Sequence, residues 1–60
     1  MNKEYLEISE VEEYTTLKRG TIYLQMKNGG FPQPHQLEDI RRNIWRKSEI
    51  DVWMEKKLSA

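Results

Sequence analysis

Between positions 18 and 27 stand Lys18, Arg19, Gly20, Thr21, Tyr23, Leu24 and Lys27, and a second basic group follows at Arg41, Arg42 and Arg46. Cations spaced this way bind phosphate oxygens, while the side chains between them reach base edges when they start a helix laid in a groove. Gly20 lowers helix stability by about 1 kcal/mol relative to alanine, yet it permits close backbone approach. Leu24 suits a thymine methyl, a neighbouring chain or nothing at all. Arg41 and Arg42, with Arg46 nearer the base of the same element, have the reach and charge for a minor groove or its phosphates. The competing reading is plain: Arg19 and Lys27 solvate a surface helix, and the arginines keep a loop tip soluble beside Glu38 and Asp39.

Other chemistries find no residues to carry them. His35 is the single histidine and cysteine is absent, so neither a metal site nor a thiol nucleophile can be assembled. Glu10, Glu12 and Glu13 are explained by helix capping and solvation, not by acid–base work. Gly29-Gly30 lacks the spacing and the preceding strand of a phosphate loop. With 60 residues the chain makes one domain, residues 1–60, and a cofactor-sized cavity would consume its small core. The expectation is a non-enzymatic protein without cofactor or metal. No apolar run approaches the length of a membrane span, so a cytoplasmic protein with no membrane partner is expected.

Ten basic and ten acidic side chains cancel to a net charge of zero, which by itself argues against a nucleic-acid partner. The distribution is uneven. Residues 1–17 carry −4, residues 18–47 carry +5, and the remainder carries −1. Salt screens the acidic segment from a ligand beyond about 8–10 Å, so the local basic surface decides attraction.

The elements that must position these groups follow from pattern. Tyr5-Leu6-Glu7-Ile8 reads as a short edge strand or an extended lead-in. Ser9-Glu10-Val11-Glu12 fits a capping box opening a first helix that runs to about Thr15, with Val11 and Tyr14 inward. Thr15-Thr16-Leu17 interrupts it. A second helix from Lys18 or Arg19 to about Asn28 has Ile22 and Met26 on its inner face and Gly29-Gly30 as its stop. Phe31-Pro32-Gln33-Pro34 must be extended, with Phe31 an anchor. His35–Leu37 and Arg42–Arg46 pair as a hairpin around a charged tip, 38–41. Ser48 then caps a third helix, with Asp51 at its third position and Ile50, Trp53, Met54 and Leu58 as its apolar stripe. Tyr5, Tyr14, Phe31, Trp45 and Trp53 are expected in the core, and either Ile44 or Trp45 must be partly exposed.

Helix, short break, helix is helix-turn-helix spacing. The predicted fold is α+β, mostly α: a small winged helix-turn-helix ordered helix, helix, two-stranded hairpin wing, helix.

At the level of motifs, Tyr5-Leu6-x-Ile8-x-Glu10-Val11, Leu17-Lys18-Arg19-Gly20-Thr21-Ile22-Tyr23, Gly29-x-Phe31-Pro32-x-Pro34 and Trp45-Arg46-x-Ser48-Glu49-Ile50-x-x-Trp53-Met54 resemble the AlpA-type phage regulators. These are similar to the lambda-type excisionases and, more distantly, to the DNA-binding domain of MerR-type regulators. The resemblance covers about residues 5–54. It implies a MerR-like winged helix whose second helix enters the major groove and whose wing touches the adjacent minor groove. It also implies a prophage role, either activating transcription of an integrase gene or acting as an excision factor with a phage-type integrase. Groove-facing positions would fall on Arg19, Gly20, Thr21, Tyr23, Leu24 and Lys27, and wing positions on Arg41 and Arg42. Lys18 departs from the serine usual in the family, Leu24 from arginine and Gln25 from leucine, while Leu37-Glu38-Asp39 replaces a Leu-Gly wing turn.

The expected partner is double-stranded DNA, bound by a chain that is monomeric in solution and has scope for cooperativity on tandem sites, since only Ser59-Ala60 follow the third helix. A protein-interaction adaptor on the same fold, such as an anti-repressor or small packaging subunit, is the alternative.

Overall fold

A computed structural model describes residues 3–59. The order is β1 (Tyr5–Leu6), α1 (Ile8–Thr15), α2 (Arg19–Lys27), β2 (His35–Leu37), β3 (Arg42–Arg46) and α3 (Lys47–Ser59). The predicted hairpin has the expected bounds, but the sheet has three antiparallel strands, in the order β1-β3-β2. Tyr5 pairs with Arg46 and Leu6 with Trp45 on one side of β3, while His35, Gln36 and Leu37 pair with Ile44, Asn43 and Arg42 on the other.

Strand alternation sorts β3 into two faces. Trp45 and Leu6 turn inward and join Val11, Ile22, Phe31 and Ile50 as the buried core, with Ile8, Leu17, Met26, Trp53 and Met54 packed around it. Ile44 is the half-exposed member of its pair with Trp45. Phe31 meets Trp53 edge-on, ring centroids 4.7 Å apart, and the Trp45 indole donates to the Pro32 carbonyl at 3.0 Å. Those two contacts fold the proline-rich segment onto the core.

Several expectations are corrected. α1 starts at Ile8, with Glu7 as N-cap and Glu10, not Glu12, reaching back: Glu10 Oε1 accepts from the Glu7 N–H at 3.0 Å. The earlier start brings Ile8 onto the same face as Val11 and Thr15, gaining apolar burial that a start at Ser9 would forfeit. Tyr14 and Tyr5 are exposed, not core; the Tyr14 hydroxyl donates to Asp51, and Thr15 takes the inner position, bonded through Oγ1 to the Val11 carbonyl at 2.7 Å. α3 begins at Lys47, directly from β3, so Ser48 does not cap it; Ser48 Oγ donates to Glu4 at 2.9 Å, and the Lys47 N–H to the Glu4 carbonyl at 2.7 Å. Leu58 is 78% exposed and does not extend the stripe.

The turn between α1 and α2 spans Thr16 to Lys18, and Thr16 sits in the left-handed region at φ 64°. A β-branched residue is strained there, and no side-chain hydrogen bond holds Thr16 among the described residues. Thr16→Gly should raise stability by about 1 kcal/mol, read as a higher urea midpoint with unchanged slope. A lowered midpoint would mean the threonine side chain contributes a contact of its own. Gly29, at φ 76°, ends α2 where only glycine is unstrained.

Candidate nucleic-acid interface

α2 positions most of the candidate residues, and its orientation follows from burial. Ile22 is fully buried and Met26 half-buried against the core, as the sequence requires. At 3.6 residues per turn, Gly20, Leu24 and Lys27 then share the outermost line, opposite Ile22. Tyr23 (45% exposed) flanks this crest on one side. Thr21 flanks it on the other, in a groove shared with Leu17, Gln25, Trp53 and Lys57. Leu24 is 57% exposed. Nothing lies within 4 Å of where a Cβ on Gly20 would stand, so the protein's own packing does not require glycine there.

Lys18 is the N-cap, extended and without a side-chain cap of its own; its carbonyl accepts from the Ile22 N–H at 3.0 Å. The cap comes from α1. Glu12 Oε2 accepts from the Arg19 N–H at 2.7 Å, and Glu12 Oε1 accepts from Arg19 Nη2 at 3.0 Å. Arg19 is therefore tethered rather than swinging freely. Its guanidinium, followed by the backbone bond, holds the Glu12 carboxyl below its ordinary pKa. Glu12 is a functional candidate that the sequence reading assigned to helix capping and solvation; no spacing in the sequence signals its contact with Arg19.

At the wing, the tip folds through Leu37, whose carbonyl accepts from the Ile40 and Arg41 N–H groups at 3.2 and 3.1 Å. Arg41 occupies the left-handed region at φ 57°. Arg42, on the first position of β3, approaches Glu7 Oε1 at 4.0 Å. Tyr23 and Arg42 line one cleft of about 230 Å³, together with Glu7, Ile8, Asn43 and Trp45. α2 and the wing thus meet at a common concavity. Asn43 escaped the sequence reading, although alternation from Trp45 places it on the helix-facing side of β3. Arg46 lies four residues along β3 from Arg42, roughly 13 Å away, with its guanidinium 5.8 Å from the centre of the Tyr5 ring. It does not line the cleft. Tyr5, Leu37, Ile44 and Arg46 share the outer face of the sheet, and Arg42, at the start of β3 on that same face, borders both the outer concavity and the cleft.

Three surface carboxylates are held below their ordinary values: Glu10 by the Lys3 ammonium and the Glu7 N–H, Glu12 by Arg19, and Asp51 by the Tyr14 hydroxyl and then Lys47. A depressed folded-state value stabilises above the unfolded carboxylate range, near pH 4, and that contribution is lost as pH falls through the lowered values. The melting temperature should therefore be level between pH 7 and about 5 and decline below about 4. Melts in low salt at pH 5 and pH 3 that coincide would show the three pairs to be inert.

Among the described residues no group of three or more histidine, cysteine or acidic side chains is placed to hold a metal ion, and no helix is long and apolar enough to cross a membrane. Two short helices joined by a three-residue turn, followed by a hairpin and a packing helix, define a small winged helix-turn-helix domain. The sequence model of the family described as Prophage CP4-57 regulatory protein (AlpA) matches residues 4–58. The chain belongs to this family of phage regulatory proteins. No curated protein and no solved structure matches it.

Proposed function

We propose that the protein binds duplex DNA sequence-specifically as a regulator of a prophage or other integrative element, with α2 in the major groove and the hairpin in the adjacent minor groove. The observation that carries this reading is the uncovered crest of α2, Gly20, Leu24 and Lys27, beside a cleft shared by Tyr23 and Arg42. Lys18, Arg19 and Thr21 adjoin the crest on α2, Arg42 borders the cleft, Arg41 precedes it at the hairpin tip, and Arg46 is assigned only a peripheral phosphate. The regulator acts either as an excision factor beside a phage-type integrase or as a transcriptional activator. Footprinting on the host element separates the two: tandem sites at an attachment core indicate excision, and a site upstream of a promoter indicates activation.

The test begins with selection from a random-core duplex library, followed by titration of the winning duplex across salt concentrations. If Lys18, Lys27, Arg41 and Arg42 each meet a phosphate, log affinity falls against log salt with a slope of roughly −4, and Arg41→Ala with Arg42→Ala makes it shallower by about 2. Gly20→Ala adds a second arm. It should stabilise α2 by up to about 1 kcal/mol while weakening DNA binding, because the added methyl stands where the duplex must approach. Binding indifferent to salt, or unaffected by Gly20→Ala, would reject the reading.

A second reading, a protein-interaction adaptor, has one observation in its favour. The outer sheet face has a concavity of about 540 Å³ floored by Tyr5, Leu37 and Ile44, and Ile40 beside it is 68% exposed. Stoichiometric capture of a protein partner with no shift of any selected duplex would support it.

A further inference from the structure

We propose that Glu12 is a positioning residue that fixes which base pair the first turn of α2 reads and suppresses sequence-independent phosphate binding at that turn. This rests on the DNA-binding reading above. One carboxylate performs two tasks: it accepts from the first N–H of α2 at 2.7 Å and from a single terminal nitrogen of Arg19 at 3.0 Å. A guanidinium carries five N–H donors, so most of the Arg19 fork is uncommitted while its direction is set, and the side chain is half exposed. An arginine already held in place loses less freedom on meeting a base than one that must be ordered there.

The same carboxylate shapes the local field. The start of a helix carries about half a positive charge, and Arg19 adds a full one. Left alone, the two would attract any phosphate. Glu12 offsets most of that charge at hydrogen-bonding distance. An arriving phosphate meets an anion already holding the donors, whereas the neutral acceptors of a guanine edge meet little such repulsion. Ordinary capping does not call for this arrangement, because a short polar side chain at position 18 would supply the cap by itself. Here Lys18 fills that position without capping, and the acceptor is delivered from the preceding helix, tied to the arginine.

The experiment compares wild type, Glu12→Gln and Arg19→Ala in selection from a random-core duplex library, then measures affinity for the wild-type winner and for a scrambled duplex. The glutamine carbonyl can still accept from the Arg19 N–H but lacks the second anionic oxygen, so folding should be retained. Discrimination between winner and scramble should fall roughly tenfold in Glu12→Gln. Its salt slope on the scramble should steepen by about 0.9, the signature of one added phosphate contact. The base pair whose preference is lost should be the one lost in Arg19→Ala. A Glu12→Gln protein that selects the same duplex with undiminished discrimination and an unchanged slope reduces Glu12 to a helix cap and overturns the inference, leaving the DNA-binding reading intact. A wild-type protein that enriches no duplex overturns both.

Discussion

Replacing Trp45 by alanine should remove a large fraction of the protein's stability at 25 °C. The side chain is completely buried, and truncating a core tryptophan costs about 3–5 kcal/mol. A domain of this size has a total stability of roughly 3–9 kcal/mol. Trp45 also holds the Pro32 carbonyl through its indole N–H at 3.0 Å, so truncation leaves that acceptor without its partner as well as opening a cavity. Trp45 stands at the junction of three units: β1 through its pairing with Leu6, the proline-rich segment through Pro32, and the helices through the core. Urea titration followed by circular dichroism, with one-dimensional proton spectra for side-chain dispersion, checks the outcome. A cooperative melt within a few degrees of wild type would mean that the packing described here is wrong.

The largest functional effect should come from Tyr23→Ala combined with Leu24→Ala. Both side chains project from α2 and cover little of the core, 45% and 57% exposed respectively, so the melting temperature should change little. Affinity for the selected duplex should nevertheless fall by about a hundredfold, the sum of two base-edge contacts at 1–3 kcal/mol each, while affinity for a scrambled duplex and the salt slope remain near wild type. This pattern separates base reading from phosphate attraction, because neither residue is charged. Equal losses on both duplexes would place Tyr23 and Leu24 outside the reading surface.

Much of the architecture was legible because local and long-range signals agreed. The two prolines at 32 and 34 forbid helix, Gly29 ends α2, and the apolar pair Ile22 and Met26 fixes which way α2 turns; each is a statement about neighbours in sequence. The capping error at Ser9 has a different origin. Two registers offered a glutamate three residues on, and the burial of Ile8 decided between them, a tertiary quantity. Ser48 failed for a similar reason: β3 continues without a loop into α3, and pairing with Glu4 claims its hydroxyl. Tyr14 was misplaced because the inner face set by Ile8 and Val11 continues at Thr15, whose hydroxyl is satisfied by the Val11 carbonyl, while Tyr14 turns outward to donate to Asp51.

The candidate site was legible in its residue types and less so in their coupling. That Arg19, Tyr23 and Lys27 share a helix follows from spacing. That Glu12 grips Arg19 depends on the angle at which the turn at Thr16 returns the chain, and spacing does not encode that angle. Arg46 shows the converse limit. Its charge suggested a DNA contact from the base of the hairpin, and it does lie at the base, but there it stacks over Tyr5 and does not line the cleft.

The unbroken passage from β3 into α3 has a mechanical consequence. The strand that bears the wing is anchored near its C-terminal end by the fully enclosed Trp45 indole and runs on from that same end as a thirteen-residue helix, so the hairpin is a cantilever set in the protein body. Its ordering entropy is incurred during folding, before any duplex arrives. Such a beam has a fixed reach. On the proposed mode of binding, inserting a single base pair between the determinants assigned to helix and wing moves one from the other by about 3.4 Å along the duplex axis, a displacement that a stiff projection cannot follow and that a supple one would absorb.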